Sequence, residues 1–544
     1  MRNPLRGPLP FRRLANDRGR VSGWSFLDPV ERDGRRRSRG RREGGRPNAD
    51  GRSRKPAPLA PLRRRVDNMA LRWHARLDSP FADRSLPFIL AGAVFVILAA
   101  MALAQTRSLQ PSESLARYSQ AAVQVHAGDG SAITYVPPGV AAPQSISHLD
   151  GSLLLYPAGW LVGFLPVREG LVLLQALALS WAVLPLWRLA RRVANLRVGA
   201  TSALIVAYAL YPPLHAMNSG GFHPLVLAVP LLLVLVQRAL SGSILRLGLV
   251  SILVLTLSAE LALVLVGVGV MLALTVRRRA GIGLALMGAL GCLAAQTVSW
   301  YGAGDDVFID GVAHPSGART ALAVLVDAVV NPTAALEQLG DRRVLVVVAS
   351  LLLPVALLSV YSLRYLLAVV PLQLAYLLSD LPGGELLGVR AAVPMVFVFA
   401  AATFALARLG RSGGDRISVP PRLSGALVGV AVLFFVLDAA PSPYERPWDW
   451  GSRDAADGIR LQWTDEVIEG PDPAPIVAAT ADMAPLLTAA GITTCALPAE
   501  RYDCPAPPTL YLVDRRLDPR TPNRADLLEV RTEAGGRLSL LRPR

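Results

Sequence analysis

Apolar residues along this chain gather into long runs separated by short polar links rich in arginine. The runs fall at 86–104, 169–187, 199–217, 224–240, 246–258, 260–276, 280–301, 343–361, 363–380, 389–408 and 423–439. A bilayer core takes about 20 apolar residues per spanning helix, so the pattern predicts an all-α polytopic membrane protein of about 11 transmembrane helices. Between Arg246 and Arg277 the only charge is Glu260. That stretch is too long for one span and short for two, which predicts two short helices meeting near Glu260. An ionisable group at that depth is costly unless it faces a polar cavity, so Glu260 is a candidate site residue.

Arginine clusters set the expected orientation. They stand at the N-terminus, at Arg188, Arg191, Arg192 and Arg197, at Arg238 and Arg246, at 277–279, at Arg364, and at Arg408, Arg411 and Arg416. All fall on the cytoplasmic side if the chain starts inside and ends outside the cell membrane. Arg342 and Arg343 land outside and break that rule. The apolar segment 151–166 is too short to span and reads as re-entrant or interfacial. This topology divides the chain into a basic cytoplasmic tail (1–84), a transmembrane domain (85–440) and a C-terminal segment (441–544). The outer loops are 106–150 and 302–342. The second begins with Asp305, Asp306 and Asp310, then carries a short helix at 319–330 stopped by Asn331-Pro332. In the C-terminal segment, strand-like 475–480, 493–497 and 509–513 alternate with a helix-like 481–490, which predicts a small extracytoplasmic α/β unit.

Composition agrees with the membrane reading: 52% of residues are hydrophobic and the mean hydropathy is +0.40. The net charge of +16 changes meaning once it is mapped. Residues 1–84 hold 22 arginines and one lysine against nine acids, so the excess sits before the first span. A nucleic-acid-binding domain is excluded as the source of the charge. Residues 1–68 lack apolar periodicity and are expected to be disordered, dispensable for folding and able to meet anionic lipid, with Met69 an alternative start. Of three cysteines, Cys292 lies in a span as a small core residue. Cys495 and Cys504 form a disulfide if the C-terminal segment lies outside, or stay as two thiols if it does not. No zinc-type Cys/His spacing, P-loop or nucleophile elbow occurs.

Three polar groups remain that can carry chemistry. The first outer loop contains Glu113, Arg117, Tyr118, Gln120, His126, Asp129, His148 and Asp150. His148 and Asp150 stand at the membrane boundary, where they can bind a metal, face a lipid phosphate, or simply be solvated. The second group is the turn Asn218-Ser219-Gly220-Gly221-Phe222-His223-Pro224, which also reads as a bare interhelical turn. The third is Glu260, either a site residue or an interhelical hydrogen-bonded carboxyl.

The stretch His148-Leu-Asp-Gly-Ser-Leu-Leu-Leu-Tyr156-Pro157, then Leu174-Gln175-Ala176 and Trp187-Arg188-Leu-Ala-Arg191-Arg192, resembles the DUF2079 family of predicted membrane proteins. Tyr211-Pro212, Phe222-His223-Pro224 and Glu260-Leu261-Ala262-Leu263 follow in the family's order. The resemblance implies a GT-C-like fold and transfer of a sugar from a polyprenyl-phosphate donor at the outer face, for cell-envelope glycan assembly. Glu113, Asp129 or Asp150 would then supply the base. His148, His223, Arg117 or Arg390 would face the phosphate, Gln120 would contact substrate, and Glu260 would orient a histidine or touch the sugar. The cofactor stays open, a divalent metal being one alternative; the lipid bilayer is the expected partner and the oligomeric state is open. The family's Phe-Asp-Phe-His-Pro-Glu reads Gly220-Gly221-Phe222-His223-Pro224-Leu225 here, and its Lys-Glu-Asp reads Ser258-Ala259-Glu260. Those lost acids admit a second reading, a non-catalytic or transport-type protein that binds lipid or glycolipid in the same cavity.

Overall fold

The computed structural model describes residues 80–128, 133–135, 155–162, 164–275, 277–301, 321–379, 381, 383–413, 416–438, 452–470, 476–497, 504 and 506–544. The first apolar run forms α1 (Pro80–Arg107). An amphipathic α2 (Glu113–Ala127) follows, then an eight-residue α3 (Leu155–Val162). Eight residues rise about 12 Å, too little to cross a bilayer. Around α3, Tyr156, Trp160 and Phe164 are exposed, as aromatic side chains at a membrane interface are. Next come α4 (Val167–Trp181) and α5 (Val183–Arg188), which run on through a π-helical turn at Leu189–Val193.

Four helical stretches among the described residues are long and apolar enough to cross a membrane: Phe81–Arg107, Val167–Val193, Pro224–Ser241 and Val389–Leu409. Counting each of two bent pairs as one span raises the number to six. The sequence pattern leads to about eleven spans; among the described residues some of the expected spans are helices of 10–17 residues and others break. The expected span 199–217 splits into α6 (Val198–Ala209) and α7 (Pro212–Ser219). Pro212 and Pro213 stand at the start of α7 and cannot continue the ladder of the preceding helix. After α8 (Ala228–Ser241), α9 (Ile244–Leu255) and α10 (Leu261–Thr275) make the short pair that meets at Glu260. α10 then packs closely on α11 (Arg278–Tyr301). A Cβ built on Gly269 would strike the backbone of Ala285, so the helices approach backbone to backbone through small residues.

The loop helix forms α12 (Ala321–Val330), and α13 (Pro332–Leu339) leaves it at 112°. The expected span 343–361 is also broken. α14 (Arg342–Leu352) ends in a short 3-10 turn, and Ala356 and Leu357 both take left-handed backbone (φ 54° each), turning the chain by 86°. α15 (Leu363–Leu366) and α16 (Val370–Leu377) replace the expected span 363–380. Arg343, which broke the charge rule, donates to Leu377 O, Ser379 O and Leu381 O. It thereby satisfies carbonyls at the end of α16, where a cation is favoured. A short α17 (Gly383–Leu387) leads to α18 (Ala392–Leu409). The Val389–Leu409 stretch is 94% buried in its most apolar window, against 33% for α1, so α18 is the internal post and α1 a lipid-facing wall. A small hairpin, β1 (Arg411–Gly413) with β2 (Arg416–Ser418), precedes α19 (Pro421–Asp438).

The C-terminal segment is a five-stranded sheet with helices α20 (Ala455–Ile468) and α21 (Ala484–Ala489). Its strands are β3 (Val477–Ala479), β4 (Thr494–Ala496), β5 (Leu510–Asp514), β6 (Leu527–Glu533) and β7 (Leu538–Pro543), in the order β4-β3-β5-β7-β6. β3 pairs in parallel with β4 and β5, and the last two strands run antiparallel. Under the sheet, Arg460 of α20 is buried against Asp457, Asp482 and Asp514. Asp482 follows β3 and Asp514 ends β5, so a guanidinium fills the crevice at the carboxyl ends of these parallel strands. Cys495 and Cys504 are joined, with their Cα atoms 5.9 Å apart, while Cys292 is a buried free thiol.

Candidate functional site

The polar residues of the first loop acquire their geometry from α2. Ser112 caps it by accepting from Leu115 N at 3.2 Å, and Gly128 closes it in left-handed backbone (φ 67°). Glu113 stands in the first turn, where the helix dipole favours a carboxylate. The C-terminal sheet docks on this helix: Ser112 N donates to Ala481 O at 3.0 Å, and α21 packs against α2. Gln120 donates to Thr134 Oγ1 at 2.8 Å and accepts from the backbone N–H groups of Thr134 and Tyr135. Thr134 in turn donates to Thr494 O in β4. Gln120, expected from the resemblance to contact substrate, thus works as a clamp that fastens the loop to the sheet.

The same end of α2 meets the 218–224 turn. Ser114 donates to Gly220 O at 2.8 Å, and Gly221 adopts φ +90° with no room for a side chain beside Ser112. Gln175 of α4 braces the turn from within. Its amide N–H donates to Met217 O and Gly221 O, and its oxygen accepts from His223 N at 2.9 Å. Nδ1 of His223 accepts from Leu225 N at 3.2 Å, which puts the proton of the neutral ring on Nε2. The imidazole lies edge-on to Tyr118, centroids 5.4 Å apart. The turn therefore has a scaffold, and His223 has a fixed orientation.

Glu260 stands where α9 gives way to α10, its carbonyl accepting from Leu263 N in the first turn of α10. Its carboxylate meets Arg390 Nη1 at 2.5 Å and accepts from Tyr376 Oη. Arg390 also lies over the Tyr376 ring, 5.4 Å from its centroid. Exposure is only 2% for Glu260 and 4% for Arg390, so each charge is compensated in a dry setting. Arg390 sits on the 3-10 turn Val389–Ala391, which packs against both α7 and the 3-10 turn Pro224–Leu227 that opens at His223. The arginine end of the Glu260 pair and the histidine turn are thus neighbours. A guanidinium and a phenol thus hold the Glu260 carboxylate, while His148, one of the two histidines expected near it, lies outside the described residues.

Two further carboxylates border this cluster. Glu113 and Glu385 are both exposed, yet the protein around each still pushes its pKa above the ordinary glutamate range. Partial loss of water around the carboxyl group, caused by the surrounding protein, is the leading cause for both. At Glu385 the Arg390 charge pulls the other way and Glu113 adds repulsion. Tyr135 is buried within reach of Glu113 and Asp482, and its phenol is held well above its usual range by burial and then by those two acids. Arg117 is buried on the inner face of α2. Asp129, His148 and Asp150 lie outside the described residues, as do Asp305, Asp306 and Asp310. Among the described residues, no three of His, Cys, Asp and Glu gather as a metal-binding set.

Sequence reasoning missed Glu385, Tyr376 and Gln175. For Gln175 a signal exists in the sequence, an amide inside an apolar helix. Glu385 follows Pro382-Gly383-Gly384 between two spans, so its loop position was legible even though its proximity to Arg390 was not.

No curated protein and no solved structure matches this chain. A family model of predicted membrane proteins nevertheless matches residues 147–489 and so covers more than half of the sequence. The chain belongs to the DUF2079 family of predicted membrane proteins.

Proposed function

We propose that this membrane protein is a GT-C-type glycosyltransferase that moves a sugar from a polyprenyl-phosphate carrier to an acceptor at the outer face of the membrane. The observation that carries the reading is the gathering of Glu113, Glu385, Arg390 and the Glu260 pair from separate chain segments, next to the docked C-terminal sheet. In such a transfer the acceptor hydroxyl attacks C1 of the sugar, the bond from C1 to the phosphate oxygen breaks, and the hydroxyl proton goes to a base. Glu113 or Glu385 is the base: each reaches solvent, and a raised pKa makes a carboxylate a better proton acceptor. Arg390 and His223 stabilise the charge that develops on the leaving phosphate. Glu260 holds Arg390 in position. Incubating cell-envelope membranes that hold the protein and its acceptor with polyprenyl-phosphate hexose tests this: wild type should release polyprenyl phosphate, and Glu113→Gln/Glu385→Gln should not.

One observation favours the second reading, a protein that binds lipid or glycolipid without transferring sugar. Two of the positions where the family pattern carries acids are closed to them here. Gly221 is pressed against Ser112, and Leu225 is 1% exposed within the core. Binding of the carrier lipid without release of polyprenyl phosphate would decide for that reading.

A further inference from the structure

At the opposite end of α1 from the docked sheet lies a cavity of about 310 Å³ lined by Arg84, Phe88, Trp187, Arg188, Arg191 and Arg192, with Asp83 at its edge. The aspartate is already committed. It accepts from Arg191 Nε at 2.7 Å and Trp187 Nε1 at 3.3 Å, and Arg416 comes within 3.8 Å. Arg191 is further fixed by donating to Leu196 O at 2.8 Å. Arg84, Arg188 and Arg192 are exposed at the cavity, so four arginines face one neutralised carboxylate. Arg191 and Arg192 stand on the π-helical turn Leu189–Val193, and such turns recur at functional sites. One turn along α1 from Arg84, Phe88 and Ile89 are 57% and 63% exposed, and the apolar face continues through Val96 and Ile97.

We infer that this cavity binds the headgroup of an anionic phospholipid, with the phosphate among Arg84, Arg188 and Arg192 and the acyl chains along α1. Arginine is suited to this because its planar fork pairs with phosphate oxygens, and basic recesses between spanning helices recognise anionic headgroups. The apolar wall beside the cations is what selects a lipid over a free phosphate. The site is separate from the Glu260 cluster and does not depend on the proposed transferase reaction.

Native mass spectrometry of the detergent-purified protein, titrated with phosphatidylglycerol or phosphatidylcholine of the same acyl chains, tests the inference. Wild type should prefer phosphatidylglycerol by about tenfold or more, and Arg84→Gln/Arg188→Gln/Arg192→Gln should remove that preference. A control with the same charge loss elsewhere, Arg246→Gln/Arg278→Gln/Arg279→Gln, should keep phosphatidylglycerol affinity within about twofold of wild type. Equal loss in the control would show that general charge, and not the cavity, attracts the lipid, and would overturn the proposal. So would displacement of phosphatidylglycerol by equimolar glycerol 3-phosphate, which would make the site one for a free phosphate. If the triple variant fails to fold, Arg192→Gln alone should weaken phosphatidylglycerol binding about threefold, and no change would count against the site.

Discussion

Arg390 and Glu260 stand 130 positions apart in sequence and meet at 2.5 Å, both almost wholly buried. Such a pair locks α10 to the start of α18, because removing either partner leaves the other as an uncompensated charge in a dry core. Glu260→Gln and Arg390→Gln should each destabilise the protein by about 3–5 kcal/mol. Replacing both at once, Glu260→Gln/Arg390→Gln, should cost clearly less than the sum of the two single losses. Thermal unfolding in detergent measures this cycle, and additive losses would show that the two charges are not coupled.

Glu113 and Glu385 give a pH dependence with a defined sign. Their folded pKa values are raised, so the folded state holds their protons more tightly than the unfolded chain does. Their contribution to stability is therefore full below the ordinary glutamate range and is lost as pH rises through the raised values. Glu113→Gln removes a like charge near Glu385 and should move the Glu385 titration downward, as followed by infrared difference spectroscopy of the carboxyl band. An unmoved band would separate the two groups.

Gly221 is required on two counts, its backbone angle and its contact. Gly221→Ala should lower stability by about 1–3 kcal/mol, from strain at positive φ together with a collision at Ser112. Adding Ser112→Ala should restore only part of the loss, because relieving the collision leaves the backbone strain. Full recovery in the melting temperature would mean that the angle does not matter.

The Cys495–Cys504 link is a marker for the side of the membrane on which the C-terminal sheet lies, since such bonds persist in oxidising compartments. A maleimide polymer added to denatured, unreduced protein should label one site, Cys292. After reduction it should label three. Three labels without reduction would place the sheet on a reducing side and reverse the expected orientation.

The sequence by itself determined the membrane character, the family, the short helix pair meeting at Glu260 and the alternating elements of the C-terminal unit. Each of these is a local signal: apolar run length, motif order, one charge in a long apolar stretch, strand-like alternation. Local signals could not say that the runs at 199–217 and 343–361 break, because apolar composition is equally compatible with a straight span and a bent one. Tertiary packing decided the partner of Glu260. Its pairing with Arg390 and Tyr376 follows from how α10, α16 and the turn before α18 are brought together. Gln120 and Arg343 show the same division. The family resemblance makes Gln120 a substrate contact and the charge rule makes Arg343 an exception, yet both satisfy backbone groups that only folding brings within reach. A buried polar side chain is committed by whatever unpaired groups surround it, and those neighbours come from distant parts of the chain.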